Sequence, residues 1–159
     1  MDNAWYKECS TGRRFLLKIS PGEKLVEKLL NFAEETGVKN AVISSAIGSV
    51  TGVRIRGIKA GAKLPITAPR MNIYELDGPF EMLDLEGNIV PNDKGESDCH
   101  LHILISKSTG EVLGGHLFDA RVFASCEIMI EEFFVTGVVE RHQSKSGGIS
   151  TFYLGDKDE

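Results

Sequence analysis

The chain has 159 residues, 42% of them hydrophobic and 26% charged. That suits a single soluble domain that buries about 70% of its unfolded surface and needs no staples. Cys9, Cys99 and Cys126 are odd in number and form no CxxC pair, which excludes a disulfide framework and implies a reducing, cytoplasmic location. No apolar run nears the ~20 residues of a membrane span, and Met1 to Trp5 lack the basic start and apolar core of a secretory signal.

The net charge of −5 is unevenly spread. No acidic residue lies between Glu35 and Glu75, whereas Lys39, Arg54, Arg56, Lys59, Lys63 and Arg70 do. Such a patch suits an anion, a phosphate, a nucleic acid or an acidic face of a partner subunit. An acidic chain overall weighs against nucleic-acid binding by the domain alone.

In chain order, Arg13 to Ile19 reads as a strand. Ser20-Pro21-Gly22-Glu23 then offers a helix start, with Ser20 as cap, Pro21 in the first turn and Glu23 completing a capping box. Leu25, Val26, Leu29, Leu30, Phe32 and Ala33 form an apolar stripe and Gly37 a left-handed stop, which predicts an amphipathic helix over about 21–36. Asn40 to Val50 is a strand, turned at Thr51-Gly52, and Val53 to Lys59 returns with Val53, Ile55 and Ile58 toward a core and Arg54 and Arg56 on the other face. Ala60 to Pro69 is loop. Met71 to Leu76 and Phe80 to Leu85 read as a hairpin around Asp77-Gly78-Pro79, followed by a second turn at Glu86-Gly87-Asn88. Pro91 to Asp98 is a polar loop.

Cys99 to Ser106 alternates and is rich in Ile and Leu, so it is a strand. Lys107 to Gly110 reads as its hairpin turn and Glu111 to Leu117 as the returning strand. His100 and His102, two apart, share a face, and adjacent Cys99 points away. If the loop holds an odd number of residues, so that Gly114 faces Leu104, His116 lies opposite His102 on that face, roughly 5 Å away at Cβ. Three imidazoles so placed leave a fourth position of a tetrahedral zinc open, as in reactive rather than structural sites. A register shifted by one residue sends His116 to the far face, and a bulge at Gly114-Gly115 can make or break the alignment.

Ala120 to Ile130 alternates over eleven residues and predicts a long strand with one apolar face. Phe134 to Arg141 and Ile149 to Leu154 read as a last hairpin around Ser144 to Gly148, and Gly155 to Glu159 as a frayed, charged tail. His142 reads as a surface histidine. The chain is thus expected to be one domain over 1–159, with its core in about 12–142. Its fold class is α+β: a mostly antiparallel β-sheet flanked by helices, one of them the amphipathic helix. So many strand edges need closing, covering or pairing across copies.

The run from Arg13 to about Glu132 resembles the PPC domain, the plants-and-prokaryotes conserved domain of AT-hook proteins and of stand-alone prokaryotic proteins. The resemblance is carried by Gly12-Arg13-Arg14-Phe15, Ile47-Gly48-Ser49-Val50, Gly78-Pro79-Phe80-Glu81-Met82-Leu83-Asp84-Leu85-Glu86-Gly87, His100-Leu101-His102 and Gly114-Gly115-His116-Leu117. It implies a homotrimer, a metal held by His100, His102 and His116, and a DNA-binding or regulatory role. The plant AT-hook element, Arg-Gly-Arg-Pro, is missing from this sequence: Arg54-Ile55-Arg56-Gly57 lacks its proline and sits within a strand.

The spacing HxH with a later histidine is also similar to the zinc site of acetolactate decarboxylase. That similarity implies an alternative: a zinc-dependent lyase or hydrolase on a small oxygen-rich molecule, the metal acting as a Lewis acid or lowering the pKa of a bound water. Glu81, within a matched motif near a turn, is the candidate for moving protons there, or else an ordinary exposed strand residue.

Overall fold

The computed structural model describes residues 4–143 and 149–156. In chain order it consists of β1 (Cys9–Ile19), α1 (Leu25–Thr36), β2 (Ala41–Ile58), a single 3-10 turn (Ala68–Arg70), β3 (Met71–Leu76), β4 (Phe80–Pro91), β5 (Ser97–Ser106), β6 (Val112–Val135), β7 (Val138–Gln143) and β8 (Ser150–Gly155). This is an α+β fold dominated by antiparallel strands, with one α-helix among the described residues rather than several.

Two long strands organise the sheet. β2 carries β6 along one side; on its other side lie β4, against 41–50, and β3, against 53–58. β6 carries β5 along 112–116 and β1 along 126–135 on its far side. Because β4 also pairs with β5, the order β2–β4–β5–β6–β2 closes on itself. Closure pairs the four inner strands on both sides and leaves β1 and β3 as the flanking strands. The alternation of β6 follows the sequence pattern except at Ala124, which is exposed: Ala120, Val122, Cys126, Ile128 and Ile130 are buried together with Ile43, Leu85, Ile89, Leu101, Ile103 and Ile105. Leu25, Leu29 and Ala33 of α1 enter the same core, and Phe15 meets Phe32 edge-on with ring centroids 4.9 Å apart. Truncating a core leucine such as Leu29 to alanine would cost about 2–5 kcal/mol.

Several local expectations are corrected. The helix starts at Leu25, after Lys24, not at 21, and no side chain caps it. Gly22 adopts φ 85, a left-handed conformation that a right-handed helix does not tolerate. The capping box survives only in half, as the Ser20 backbone N–H donating to Glu23 Oε2 at 2.9 Å. The C-terminal stop is as predicted, with Gly37 at φ 72. Thr51-Gly52 does not turn the chain: β2 runs straight through it, with register shifts from Gly48 to Ile55 absorbing the extra residues. Ile58 consequently faces outward rather than the core. Asp77-Gly78-Pro79 connects two strands that pair not with each other but end to end along β2. Glu86-Gly87-Asn88 lies inside β4. β6 runs unbroken from 112 to 135, so the last hairpin begins at Val138, not Phe134; its turn, 144–148, lies outside the described residues. Gly155 belongs to β8 and not to a tail.

Candidate metal centre

The histidine geometry follows from one register. Ser106 pairs with Val112 across five loop residues, 107–111, and the ladder continues until Leu104 faces Gly114 and His102 faces His116. Gly110, at φ 82, makes the turn. His100 lies two residues further along β5, opposite Asn88 of β4. Close backbone approach is built in beside it: a Cβ on Gly87, whose φ is 143, would stand 1.9 Å from the His100 carbonyl oxygen. On the other side of the site a Cβ on Gly115 would stand 2.5 Å from the Arg56 carbonyl oxygen.

The three rings converge. Nε2 of His100 and Nε2 of His102 are 3.2 Å apart, and the ring centroids of the three residues are separated by 5.0, 5.1 and 5.7 Å. One nitrogen from each lies within 4.8 Å of the others, the one such cluster of His, Cys, Asp or Glu among the described residues. A tetrahedral ion at ~2.0–2.1 Å from each nitrogen spaces them by roughly 3.3 Å, so the closest pair already fits and the wider ones need only small side-chain rotations. Burial, reinforced by the positive charges of Arg56 and Arg141, pushes His116 down to about 4 and lowers His100 as well. Both are therefore neutral near pH 7, the form that ligates metal. Nδ1 of His116 is buried and has no hydrogen-bond partner. The set is well matched to a cation of the zinc type.

Around it the structure adds residues that local patterning missed. A cleft of about 470 Å³ is lined by His100 and His116 together with Arg56, Arg141, Asp98 and Phe118. Arg56 pairs with His116 across the β2–β6 ladder. Phe118 holds His116 edge-on at 5.3 Å and has the guanidinium carbons of Arg54 and Arg56 5.0 and 5.9 Å from its ring centroid. Arg141 reaches the cleft from β7, which an isolated bridge between Asn92 and Arg141 ties to the end of β4. Cys99 also lines the cleft, but burial drives its thiol to about 12, so it stays protonated, and it is not part of the ligating cluster.

Glu81 is not brought to the histidines: it pairs with Ser49 and Ser106 and lines a different cleft, with Ile47 and Glu127. The carboxylate whose register faces the centre is Glu86, opposite His102. His142 is half-buried rather than free on the surface, stacked on Tyr153 with centroids 4.6 Å apart and Nε2 2.7 Å from Glu140 Oε2. The basic segment is partly used internally. Arg54 pairs with Glu75, Lys59 donates to the Pro69 carbonyl, and Arg70 donates to the carbonyls of Lys63 and Pro65.

The family model of the Plants and Prokaryotes Conserved (PCC) domain matches residues 6–134. The chain belongs to this family. Among solved structures, a metal-containing protein from Archaeoglobus fulgidus is 34% identical to this PCC chain, with TM-score 0.79 over 96% of this chain and 100% of that one. A plant- and prokaryote-conserved protein from Pyrococcus horikoshii is 28% identical, with TM-score 0.77 over 95% and 97%. AT-hook motif nuclear-localized protein 1 of Arabidopsis thaliana is 26% identical over 152 residues, which span 92% of this chain and 40% of the plant protein. The PCC chain thus spans well under half the length of that curated relative. No helix in the described residues is long and apolar enough to cross a membrane.

Proposed function

We propose that this PCC-domain protein is a zinc-centred homotrimer that acts as a regulatory module in DNA-associated assemblies. The observation that carries the metal is the facing pair His102–His116 with His100 beside it, one ring nitrogen of each within 4.8 Å of the others. The A. fulgidus relative, described as metal-containing, supports the same reading. Nuclear AT-hook relatives support the link to DNA. Here the net charge is −5 and much of the basic segment is engaged internally, so the domain's contribution is assembly and ligand response more than groove reading. Free cysteines are consistent with a cytoplasmic setting.

The homotrimer is supported by an apolar strip on the outer face of the sheet. Leu16 of β1 is 78% exposed and pairs with Met129 of β6; Ile47 of β2 and Phe123 of β6 are also exposed. A patch of this kind on a soluble protein marks a contact with another chain.

A second reading, a zinc-dependent lyase or hydrolase on a small oxygen-rich substrate, is favoured by the position of His100 and His116 on an open cleft. Zinc would supply polarisation of a substrate oxygen. Arg56 would orient an anionic group, and Glu86, rather than Glu81, is the carboxylate positioned by register to exchange a proton.

Elemental analysis of protein purified without added metal tests the centre; one zinc per chain is expected, and none would remove it. A gel shift at about 50 mM salt, where phosphate contacts are strongest, tests the DNA link. Binding that weakens steeply with salt supports it, and none at that salt rejects it.

A further inference from the structure

Arg56 is half-buried, yet no acidic side chain among the described residues pairs with it. Its guanidinium contacts the Met71 thioether and the face of Phe118, and burial lowers it from its ordinary value without any carboxylate offsetting the effect. A guanidinium that gives up water normally recovers the cost through a carboxylate or phosphate held by its fork. Arg13 does so on Glu132, with Nε and Nη2 reaching the two carboxylate oxygens at 2.8 and 3.0 Å. Arg56 does not.

Arg141, 4% exposed, stands on the same cleft. Its Nη2 donates to Asn88 Oδ1 at 2.5 Å, while its Nε lies 3.2 Å from Asp98 Oδ2 without making a hydrogen bond. Asp98 is the one carboxylate among the lining residues, against two guanidiniums. Two imidazoles of the metal cluster line the same wall, and Ile66, Met71 and Phe118 supply an apolar surface opposite in character. The cleft thus combines surplus positive charge, an unpaired planar donor and a hydrocarbon wall around a centre that leaves a coordination position open.

We propose that this cleft binds a small-molecule carboxylate, one oxygen directed to the three-histidine centre and the carboxylate gripped by the Arg56 fork. The proposal rests on the metal reading above and names the class of ligand that centre takes. Inorganic phosphate shares the oxyanion chemistry, but it has no carbon skeleton to cover Ile66, Met71 and Phe118; a short dicarboxylate does. Arg56 is a binding residue in this account, and Arg141, held by Asn88 and Asp98, supplies the cleft's second positive charge.

The test uses cobalt(II) as the reporter ion, because its visible spectrum changes when a ligand enters its coordination shell. The full-length protein is loaded with cobalt, its metal content is measured, and it is titrated with malonate, succinate, phosphate and chloride in turn. The expected result is a saturable spectral change with malonate or succinate at lower concentration than with phosphate. In Arg56→Gln, cobalt should bind at unchanged stoichiometry while dicarboxylate affinity falls at least about tenfold, the equivalent of one lost charge-assisted hydrogen bond. Arg56→Lys, which keeps the charge but loses the fork, should fall between the two. Failure of the wild-type protein to take up cobalt would overturn the metal reading itself. Normal cobalt uptake with no response to any carboxylate, equal affinities in wild type and Arg56→Gln, or a preference for phosphate would each overturn the carboxylate site while leaving the metal centre intact.

Discussion

Arg56 and His116 are partners across the β2–β6 ladder, so an arginine from the first half of the chain and a histidine from the second point to the same face. Phe118, two residues on from His116, touches both. The pairing adds to what burial does to His116: its neutral form is favoured by burial first and by the neighbouring guanidinium second. A metal ligand held neutral by its surroundings is ready to bind without first losing a proton.

Removing one ring tests the cluster. His102 is the most exposed of the three, so His102→Ala leaves the core packing of β5 nearly untouched. We expect metal content to fall below a tenth of the wild-type value, with metal-free stability changed by no more than about 0.5 kcal/mol, as for surface substitutions. In the wild-type protein, added zinc should raise the melting temperature and a chelator should reverse it, because an ion that binds only the folded state stabilises it by mass action. Retention of full metal content by the variant would show that the three rings do not share an ion.

The same histidines set a pH dependence for the metal-free protein. His116 titrates near 6.5 when unfolded and about 4 when folded, and His100 shifts in the same direction. Between those values the unfolded chain holds more protons, so stability rises with pH. The contribution is complete above pH 6.5 and is lost as the pH falls toward about 4. Thermal melts of the metal-free protein at pH 7.5, 5.5 and 4.5 should show a progressive decline, shallower in His116→Gln. A slope in His116→Gln as steep as in the wild type would mean that other groups carry the acid sensitivity.

How much of this was legible in sequence depended on the range of the interaction. The facing of His100, His102 and His116 follows from strand period and a short loop, and both are local. The helix stripe and Gly37 were local as well. Gly52 and Gly87 look like turn residues and so break β2 and β4 in the sequence pattern, whereas in the structure Gly52 sits among the register shifts of β2 and Gly87 allows the His100 carbonyl to approach. Arg56 and Arg141 were not identified as site residues. Their places follow from the register of β2 on β6 and the docking of β7 near β4, pairings that span tens of residues and leave no local period. Glu81 stands in a matched motif, but the strand carries it five residues away from the position that faces His102.

Gly87 is accordingly a strong test of how the site is built. Its φ of 143 disfavours any side chain, and a Cβ there would meet the His100 carbonyl oxygen at 1.9 Å. Gly87→Ala must part β4 from β5 beside the ligands. We expect a loss of about 3 kcal/mol from strain and overpacking, or a melting-temperature drop of roughly 6–12 °C for a chain of this size. Metal affinity should fall with it, since His100 moves with its backbone. A variant of wild-type stability would contradict the strand approach described here.

The outer face of the sheet makes the last prediction. Leu16 and Met129 are Cα partners on neighbouring strands, and Leu16 is 78% exposed although its flanking residues Phe15 and Leu17 pack against the core. An isolated monomer gains nothing by holding a leucine in water at that point, whereas a contact between copies buries it at about 25 cal/mol per Å². In the proposed trimer the contact would repeat around a closed ring, so a charge there would enter every interface at once. If the proposed trimer uses this face, Leu16→Glu should convert it to monomer in sedimentation or light-scattering measurements. The three histidines come from one chain and lie on other strands, so zinc content per chain should be unchanged. A wild-type protein that sediments as a monomer would overturn the trimer directly. A Leu16→Glu variant that remains trimeric would move the interface to another face of the sheet.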